Sequence, residues 1–182
     1  FEKQEMPLNL ILFDDEKRNA FLPLVYTRPV AELRLGINTI KEKWERALQT
    51  KSSYLSQEYL NPKYPITLGE DNILINARYL PNDYLISLLK MLDLHQAIMS
   101  EGDLVAVRLS KERLKDVIDD EDIESLDGME IDPALFHSIS KPWEIFLKNG
   151  LAIESDLLEI KRGRVSQPLS SNNTLIGDDQ HL

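Results

Sequence analysis

The sequence has no cysteine and only three histidines among its 182 residues. The missing cysteines exclude disulfides, thiolate metal sites and a cysteine nucleophile. His95, His137 and His181 are too scattered along the chain for a histidine metal cage. No apolar run approaches the roughly 20 residues that span a bilayer, and the first residues lack the pattern of a signal peptide. We therefore expect a cytoplasmic protein with no membrane partner.

Positive charge is also scarce, with 21 lysines and arginines against 31 acidic residues and a net charge of −10. Such a surplus repels a polyanion at long range, so no nucleic-acid partner is expected. The surplus is uneven, because residues 101–132 hold twelve acids and four bases, whereas residues 14–46 hold six acids and seven bases. An anionic substrate is therefore expected near the earlier segment.

Apolar residues are arranged in alternating strand and helix patterns. Short apolar runs at 8–13, 72–76 and 103–109 predict buried strands. Apolar residues at helical spacing predict helices after each strand. This alternation predicts an α/β fold, with a Rossmann-like, mostly parallel sheet flanked by helices.

Each predicted helix has a boundary signal or an apolar face. A helix is expected over 36–48, and Ser110 is expected to cap a short helix after the third strand. Trp44 and Trp143 lie at apolar helical positions and are predicted to be core anchors. The remaining expectations are a helix from Pro81 to Leu92, a helix from Pro142 that ends at Gly150, a further helix over 152–160, an irregular connection over 50–65 and an acidic loop around 119–124.

Two acids and three arginines follow the first strand. Asp14 and Asp15 come directly after it, where open α/β sheets bind ligands, and carboxylates are ligands for Mg²⁺. Guanidinium groups suit phosphate, so Arg18, Arg28 and Arg34 are candidates for an anion clamp. A solvated turn, with the arginines paired to nearby acids, is the structural alternative.

Residues 14–44, "DDEKRNAFLPLVYTRPVAELRLGINTIKEKW", resemble the signature of the sugar-phosphate nucleotidyltransferases. In that family the first strand leads into a glycine-rich loop with an arginine, then Pro-Leu, a further proline, and a glycine before a helix. Arg18, Pro23, Pro29 and Gly36 follow in that order. The pattern is most similar to bifunctional N-acetylglucosamine-1-phosphate uridylyltransferases/glucosamine-1-phosphate acetyltransferases. The resemblance implies a nucleotide-diphospho-sugar transferase-like fold and a role in cell-envelope precursor biosynthesis.

The resemblance implies a reaction and a set of roles. UTP or dTTP would react with a sugar 1-phosphate, with Mg²⁺ as cofactor, to give a nucleotide sugar and pyrophosphate. On this basis the catalytic residues are Arg18 and Arg28, the substrate-binding residues are Thr27, Arg34, Asn76 and Arg78, and the metal ligands are Asp14, Asp15 and Asp156.

The sequence departs from the family pattern within the segment that carries the resemblance. Residues 14–17 replace the loop glycines that let backbone amides approach phosphates, and Val30 and Ala31 replace a Lys-Pro pair. A second hypothesis follows: a non-catalytic sugar-nucleotide binding or assembly module for an attached acyltransferase. A third, a flavodoxin-like regulator, conflicts with the prolines of "LPLVYTRP", which would break its first helix.

The last residues suggest a longer protein. Residues 1–162 are expected to form the nucleotidyltransferase-like domain, and 163–182 a polar linker. "NTLIGDD" at the end resembles the start of a left-handed β-helix of hexapeptide repeats. The resemblance implies that the full-length protein forms a homotrimer through such repeats.

Overall fold

The computed structural model describes residues 9–120 and 127–165, together with 167, 170–172, 174 and 176. Strands and helices alternate along most of the chain. The strands are β1 (Asn9–Phe13), β2 (Arg34–Leu35), β3 (Asn38–Thr39), β4 (Ser52–Leu55), β5 (Asp71–Asn76), β6 (Gln96–Ser100), β7 (Asp103–Ser110) and β8 (Asp127–Glu130). The helices are α1 (Ile40–Leu48), α2 (Asp83–Met91), α3 (Lys111–Asp120) and α4 (Pro142–Lys161).

Six strands form one sheet in the order β4-β1-β5-β7-β6-β8, and β2 and β3 form a separate hairpin. β1 pairs in parallel with β4 and β5, and β6 pairs in parallel with β8. Only β7 runs against its neighbours in this sheet. The predicted α/β class with a mostly parallel, Rossmann-like sheet is confirmed.

Apolar side chains cover both faces of the sheet. The larger cluster contains Leu10 and Ile73 from the sheet, Trp44 from α1 and Leu85 from α2. The smaller cluster lies on the other face, where Leu114 of α3 packs against residues of β1, β5 and β7. Strand residues alternate between the two clusters because successive side chains point to opposite faces.

Four segments have boundaries or a structure different from those predicted. α1 begins at Ile40, not at Gly36, because the β2–β3 hairpin precedes it and Thr39 forms a capping box with Glu42. The predicted irregular connection over 50–65 contains the edge strand β4. The segment before the third predicted strand contains β6, which forms a tight hairpin with β7. The α2 helix begins at Asp83 behind an Asn82 cap, and Ser110 caps α3 as predicted.

α4 differs most from its prediction. It is one helix of 20 residues that continues through Gly150, so the two separate helices expected here do not exist. Its Trp143 is 61% exposed, and the prediction that this residue anchors the core is wrong. Trp44, by contrast, is fully buried as predicted.

Two predicted features are largely outside the described residues. α3 reaches Asp120, and the rest of the expected acidic loop is not described. Most of the predicted linker over 163–182 is also outside them. Within the described part of the chain, no helix has the length and apolarity needed to cross a membrane.

Candidate functional site

Three strand ends meet at one edge of the sheet. β1 and β5 are parallel neighbours, so the residues after Phe13 and Asn76 leave the sheet side by side. β7 runs antiparallel to β5 and therefore begins at this edge, which brings Asp103 to the same place. In a mostly parallel sheet, this edge is where ligands bind.

Arg78 is the centre of a charged network at this edge. Its guanidinium is only 2% exposed and donates to Asp15, with Nη2–Oδ2 2.5 Å, and to Asp103, with Nη2–Oδ2 2.9 Å. Asn76 Nδ2 also donates to Asp15 (2.8 Å), and Lys17 Nζ lies 2.6 Å from Asp103. We call these five residues the Arg78 cluster.

The charges of the Arg78 cluster stabilise one another. Burial disfavours the ionised form of Asp103, but hydrogen bonds from Lys17 and Arg78 outweigh it and lower the pKa of this carboxyl. Burial also opposes the charge on Arg78, yet hydrogen bonds to Asp15 and Asp103 raise its pKa. Lys17 is the accessible cation of the cluster, since its side chain is 54% exposed.

Asp14 points away from solvent, although it is adjacent to Asp15. Its carboxylate accepts hydrogen bonds from the Val30 backbone N–H (3.0 Å) and the Ser56 hydroxyl (2.5 Å). Burial raises the pKa of Asp14 to about 6, and these two hydrogen bonds offset part of the shift. Asp14 therefore stabilises the loop that follows β1. Its role as a metal ligand stays a prediction.

Arg18 pairs with Asp14 inside the same loop. Its Nε lies 3.2 Å from Asp14 Oδ2, and its Nη2 donates to the Val25 carbonyl and to the Tyr59 hydroxyl. The residue is 3% exposed, so in this conformation its guanidinium holds the loop together from within. The predicted catalytic role of Arg18 therefore remains untested, and it would need a change in this loop.

The family described as "Sugar nucleotidyl transferase" matches residues 10–165. The chain belongs to this family. No curated protein matches the sequence.

The solved structures that are similar include a protein from Bacillus anthracis described as a glucose-1-phosphate thymidylyltransferase, in complex with a sucrose. The identity is 7%, the TM-score is 0.48, and the match covers 81% of this chain and 96% of that one. The assignment to the sugar nucleotidyl transferase family rests on the family match over residues 10–165. The narrower resemblance to the bifunctional uridylyltransferase/acetyltransferase subgroup stays a prediction.

The remaining predicted site residues of this sugar nucleotidyl transferase family member are dispersed. Thr27, Arg28 and Arg34 are exposed, and Arg34 donates to the carbonyl of Ile37. Within the described ranges, none of the three forms a hydrogen bond or ion pair with the Arg78 cluster. Asn76 and Arg78, predicted as substrate-binding residues, are both buried members of that cluster.

Asp156 lies in α4 and contacts different elements. It pairs with Lys43 of α1 and accepts the backbone N–H groups of Ile37 (2.8 Å) and Asn38 (3.1 Å). Burial opposes ionisation, but Lys43 and these amides lower the pKa of Asp156. The predicted helix over 152–160 would have placed Asp156 near a helix N-terminus, but the residue lies in the interior of α4. None of its contacts involves Asp14 or Asp15.

Lys17 and Asp103 were not among the predicted site residues. Asp103 was missed because its strand was expected to be parallel, which would place its first residue at the opposite edge. One sequence signal could have predicted the direction of β7. Glu101-Gly102 lies between two apolar runs, and a two-residue turn with glycine is typical of a β-hairpin. Both turn residues have positive φ, 50° and 80°.

The Arg78 cluster has the donor type that Mg²⁺ requires. One oxygen each from Asp15 and Asp103 lies within 3 Å of the same Arg78 nitrogen, and both carboxylates are partly exposed. Mg²⁺ is commonly held by one or two carboxylates together with substrate phosphates. Among the described residues, no group of three or more acidic or histidine side chains could hold a metal ion by itself. The pair therefore fits a cation that arrives with a phosphate.

Proposed function

We propose that this chain transfers a nucleotidyl group from UTP or dTTP to a sugar 1-phosphate and releases pyrophosphate. Membership of the sugar nucleotidyl transferase family supports the reaction class. The observation that carries the proposal is the Arg78 cluster at the carboxyl edge of the sheet, where two acids and two cations converge. Such a transfer requires positioning and neutralisation of phosphate charge more than covalent help from the protein.

The members of the Arg78 cluster would have separate roles. Lys17 is exposed enough to exchange Asp103 for a phosphate oxygen, so it would contact the triphosphate directly. Arg78 is buried and would position the two carboxylates rather than contact the substrate. The exposed Arg28 and Arg34 would hold the sugar phosphate from the loop side.

Asp15 and Asp103 would hold the Mg²⁺, which neutralises phosphate charge when bound. Both carboxylates already have a cationic partner, so a bound metal would compete with Lys17 and Arg78 for their oxygens. Release of Lys17 from Asp103 would then leave its ammonium group available to a phosphate. The metal and phosphate contacts of the cluster would in this way support each other.

Pyrophosphate release tests the proposal. Purified protein would be incubated with Mg²⁺, UTP or dTTP, and a panel of sugar 1-phosphates. Lys17→Gln should reduce kcat/KM by about 10- to 100-fold, because one charge-assisted contact is lost. Asp103→Asn should reduce the response to Mg²⁺.

The matched control is Lys111→Gln. Lys111 forms a similar surface pair with Glu70 (2.7 Å), but at the opposite edge of the sheet, so turnover should not change. The proposal fails if the protein releases no pyrophosphate with any sugar 1-phosphate and binds neither nucleotide in the presence of Mg²⁺. Equal losses of kcat/KM in Lys17→Gln and Lys111→Gln would show that the Arg78 cluster is not part of the active site.

The internal pairing of Arg18 favours a second candidate function. With Arg18 enclosed by Asp14 and the Val25 carbonyl, the loop after β1 presents acids rather than a free arginine to a triphosphate. A domain of this kind could bind a sugar nucleotide without turnover and orient an attached acyltransferase, in a homotrimer formed by repeats that follow it. Calorimetric binding of UTP or dTTP without pyrophosphate release would favour this function.

A further inference from the structure

The α4 helix presents most of its large apolar side chains to solvent, whereas its inner side carries polar groups together with Ala152 and Ile145, which pack on the core. Asn149 Oδ1 accepts the backbone N–H of Gly36 (2.8 Å), and Asp156 accepts those of Ile37 and Asn38. Both acceptors therefore lie on the side of α4 that faces the β2–β3 hairpin. The opposite side, which we call the outer face of α4, carries Trp143, Phe146, Leu147, Gly150, Leu151 and Leu158, with the exposed Glu154 among them.

The outer face is large for an exposed apolar surface. The exposed fractions are 61% for Trp143, 82% for Phe146, 69% for Leu147, 66% for Leu151 and 72% for Leu158. With about 200 Å² for each aromatic side chain and about 170 Å² for leucine, these residues expose roughly 640 Å². The largest apolar patch on a typical monomer is about 300–600 Å². About 800 Å² per partner is what a stable protein interface of standard size buries.

Gly150 lies in the middle of this face and has no evident role within the described part of the chain. Among those residues, a Cβ built on it would meet no atom within 4 Å outside the helix's own backbone. A glycine inside a helix costs about 1 kcal/mol relative to alanine, so open space alone does not account for it. A missing side chain at the centre of an apolar face does allow another helix to approach closely.

We propose that the outer face of α4 binds the same face of a second copy of this chain, with the two helices antiparallel. A two-fold axis between Gly150 and Leu151 would place Trp143 of each copy against Leu158 of the other. Leu151 would then cover Gly150 of the second copy. In this register the same residues of both copies meet about one axis, as a two-fold interface requires, and Leu147 of each copy lies opposite Glu154 of the other.

Glu154 is the charged residue within this face, and its carboxylate must reach solvent at the edge of the helix pair, because an unpaired buried charge is costly. Glu154 lies on the same side of the helix, three residues beyond Leu151. The two copies of Glu154 would be separated by about 10 Å along the helix axis, from the rise of 1.5 Å per residue. This is about the Debye length at moderate salt, so the repulsion between them would be weak.

Sedimentation of the full 182-residue chain over a range of concentrations tests the proposal. The expected species is a dimer with twice the 21.0 kDa mass of the chain. Leu147→Glu should raise the dissociation constant by at least 100-fold. The control is Met91→Glu, since Met91 is also 69% exposed but lies at the end of α2, and it should leave the dimer intact.

The variant Gly150→Leu distinguishes close helix packing at Gly150 from nonspecific association of apolar surfaces. A Cβ at this position meets none of the described residues of its own chain, so the substitution should not disrupt folding. It also enlarges the apolar face, which would strengthen a nonspecific association. If the two helices pack closely at Gly150, the dissociation constant of the dimer should instead rise at least 10-fold.

Single cysteines define the geometry, because the chain has none of its own. Leu151→Cys should form a disulfide-linked dimer under mild oxidation, whereas Leu158→Cys should not link to itself. A mixture of Trp143→Cys and Leu158→Cys chains should give the mixed dimer. Efficient self-linking of Leu158→Cys would indicate another register and overturn the antiparallel arrangement.

Other occupants of the outer face give different results. A chain that stays monomeric at all concentrations overturns the proposal, and a blue-shifted Trp143 emission in that monomer would show that another part of the chain covers the face. A dimer or trimer that persists unchanged in Leu147→Glu is built on other contacts and also overturns it. Trp143 emission should otherwise shift to the blue as the concentration rises, since Trp44 is fully buried already.

Discussion

Helices α1 and α4 each carry one tryptophan at an apolar helical position, but they use it in opposite ways. Trp44 of α1 is fully buried, and its Nε1 donates to the carbonyl of Tyr79 (2.9 Å). Trp143 of α4 is exposed, and the inner side of α4 contacts the protein through Asn149 and Asp156 as well as through Ala152, which belongs to the core. Apolar spacing therefore identifies one face of a helix but does not decide whether that face meets the sheet.

The reason lies in the surface that each helix contacts. α1 packs on apolar side chains of the sheet, for which Trp44 is a suitable partner. α4 packs on the turn of the β2–β3 hairpin, where the backbone N–H groups of Gly36, Ile37 and Asn38 point outward. Unpaired buried amides are costly, so a helix with acceptors on its inner side is preferred there.

The largest expected effect compares the two tryptophans directly. Trp44→Ala should lower the free energy of unfolding by about 4 kcal/mol, because it leaves a cavity in the core. Trp143→Ala should change it by less than about 0.5 kcal/mol. Urea unfolding followed by circular dichroism at low protein concentration measures both. Similar losses in the two variants would contradict the comparison.

The next effect concerns the polar attachment of α4. Asp156→Ala should lower the free energy of unfolding by about 3 kcal/mol, since it leaves Lys43 and two amides without their acceptor. Glu159→Ala is the matched control on the same helix. Its partner Arg162 is largely exposed, so the loss should stay below about 0.5 kcal/mol. Equal losses would mean that Asp156 does not attach α4.

Two buried carboxylates should respond to pH with opposite signs. Asp14 has its pKa raised to about 6, so its contribution to stability is complete below about pH 3.8 and is lost as the pH rises through 6, by at most about 3 kcal/mol. Asp156 has a lowered pKa, so its contribution is present above about pH 3.8 and is lost as the pH falls through its lower folded-state pKa.

Urea unfolding from pH 3 to pH 7 tests this difference. The advantage of the unmodified protein over Asp14→Asn should shrink as the pH rises. Its advantage over Asp156→Asn should grow as the pH rises from 3 to about 4 and then stay constant, because the ionised carboxylate binds Lys43 and the two amides more strongly than a neutral group does. Parallel pH profiles for the two variants would contradict the assignment.

The smallest effect concerns the space beneath α4. Gly36 and Gly102 both have φ of +80°, but a Cβ on Gly36 would lie 2.7 Å from Asp156 Oδ2 and 2.8 Å from the Ala152 backbone carbon, whereas Gly102 has open space. Gly102→Ala should cost about 1 kcal/mol from backbone strain alone. Gly36→Ala should cost about 2 kcal/mol more, because α4 must shift. Equal unfolding midpoints would show that α4 is not closely packed on this turn.

Part of the candidate site could be predicted because it follows a single strand. Asp14 and Asp15 were expected at the end of β1, and Asn76 and Arg78 at the end of β5, which the structure places side by side. The sequence could not indicate that Asp14 points inward to Val30 while Asp15 points to Arg78. Asp103 could not be located without the direction of β7, which depends on pairing between distant strands.

The sequence alone determined the α/β class, three of the six strands of the main sheet and the existence of a helix after each of them. Those features follow from the local period of apolar residues, which is 2 in strands and 3.6 in helices. Only the tertiary structure decided the reversal of β7, the edge strand β4 and the outward apolar side of α4. Each of these depends on which distant backbone groups need a hydrogen-bond partner, and no local pattern of residues contains that information.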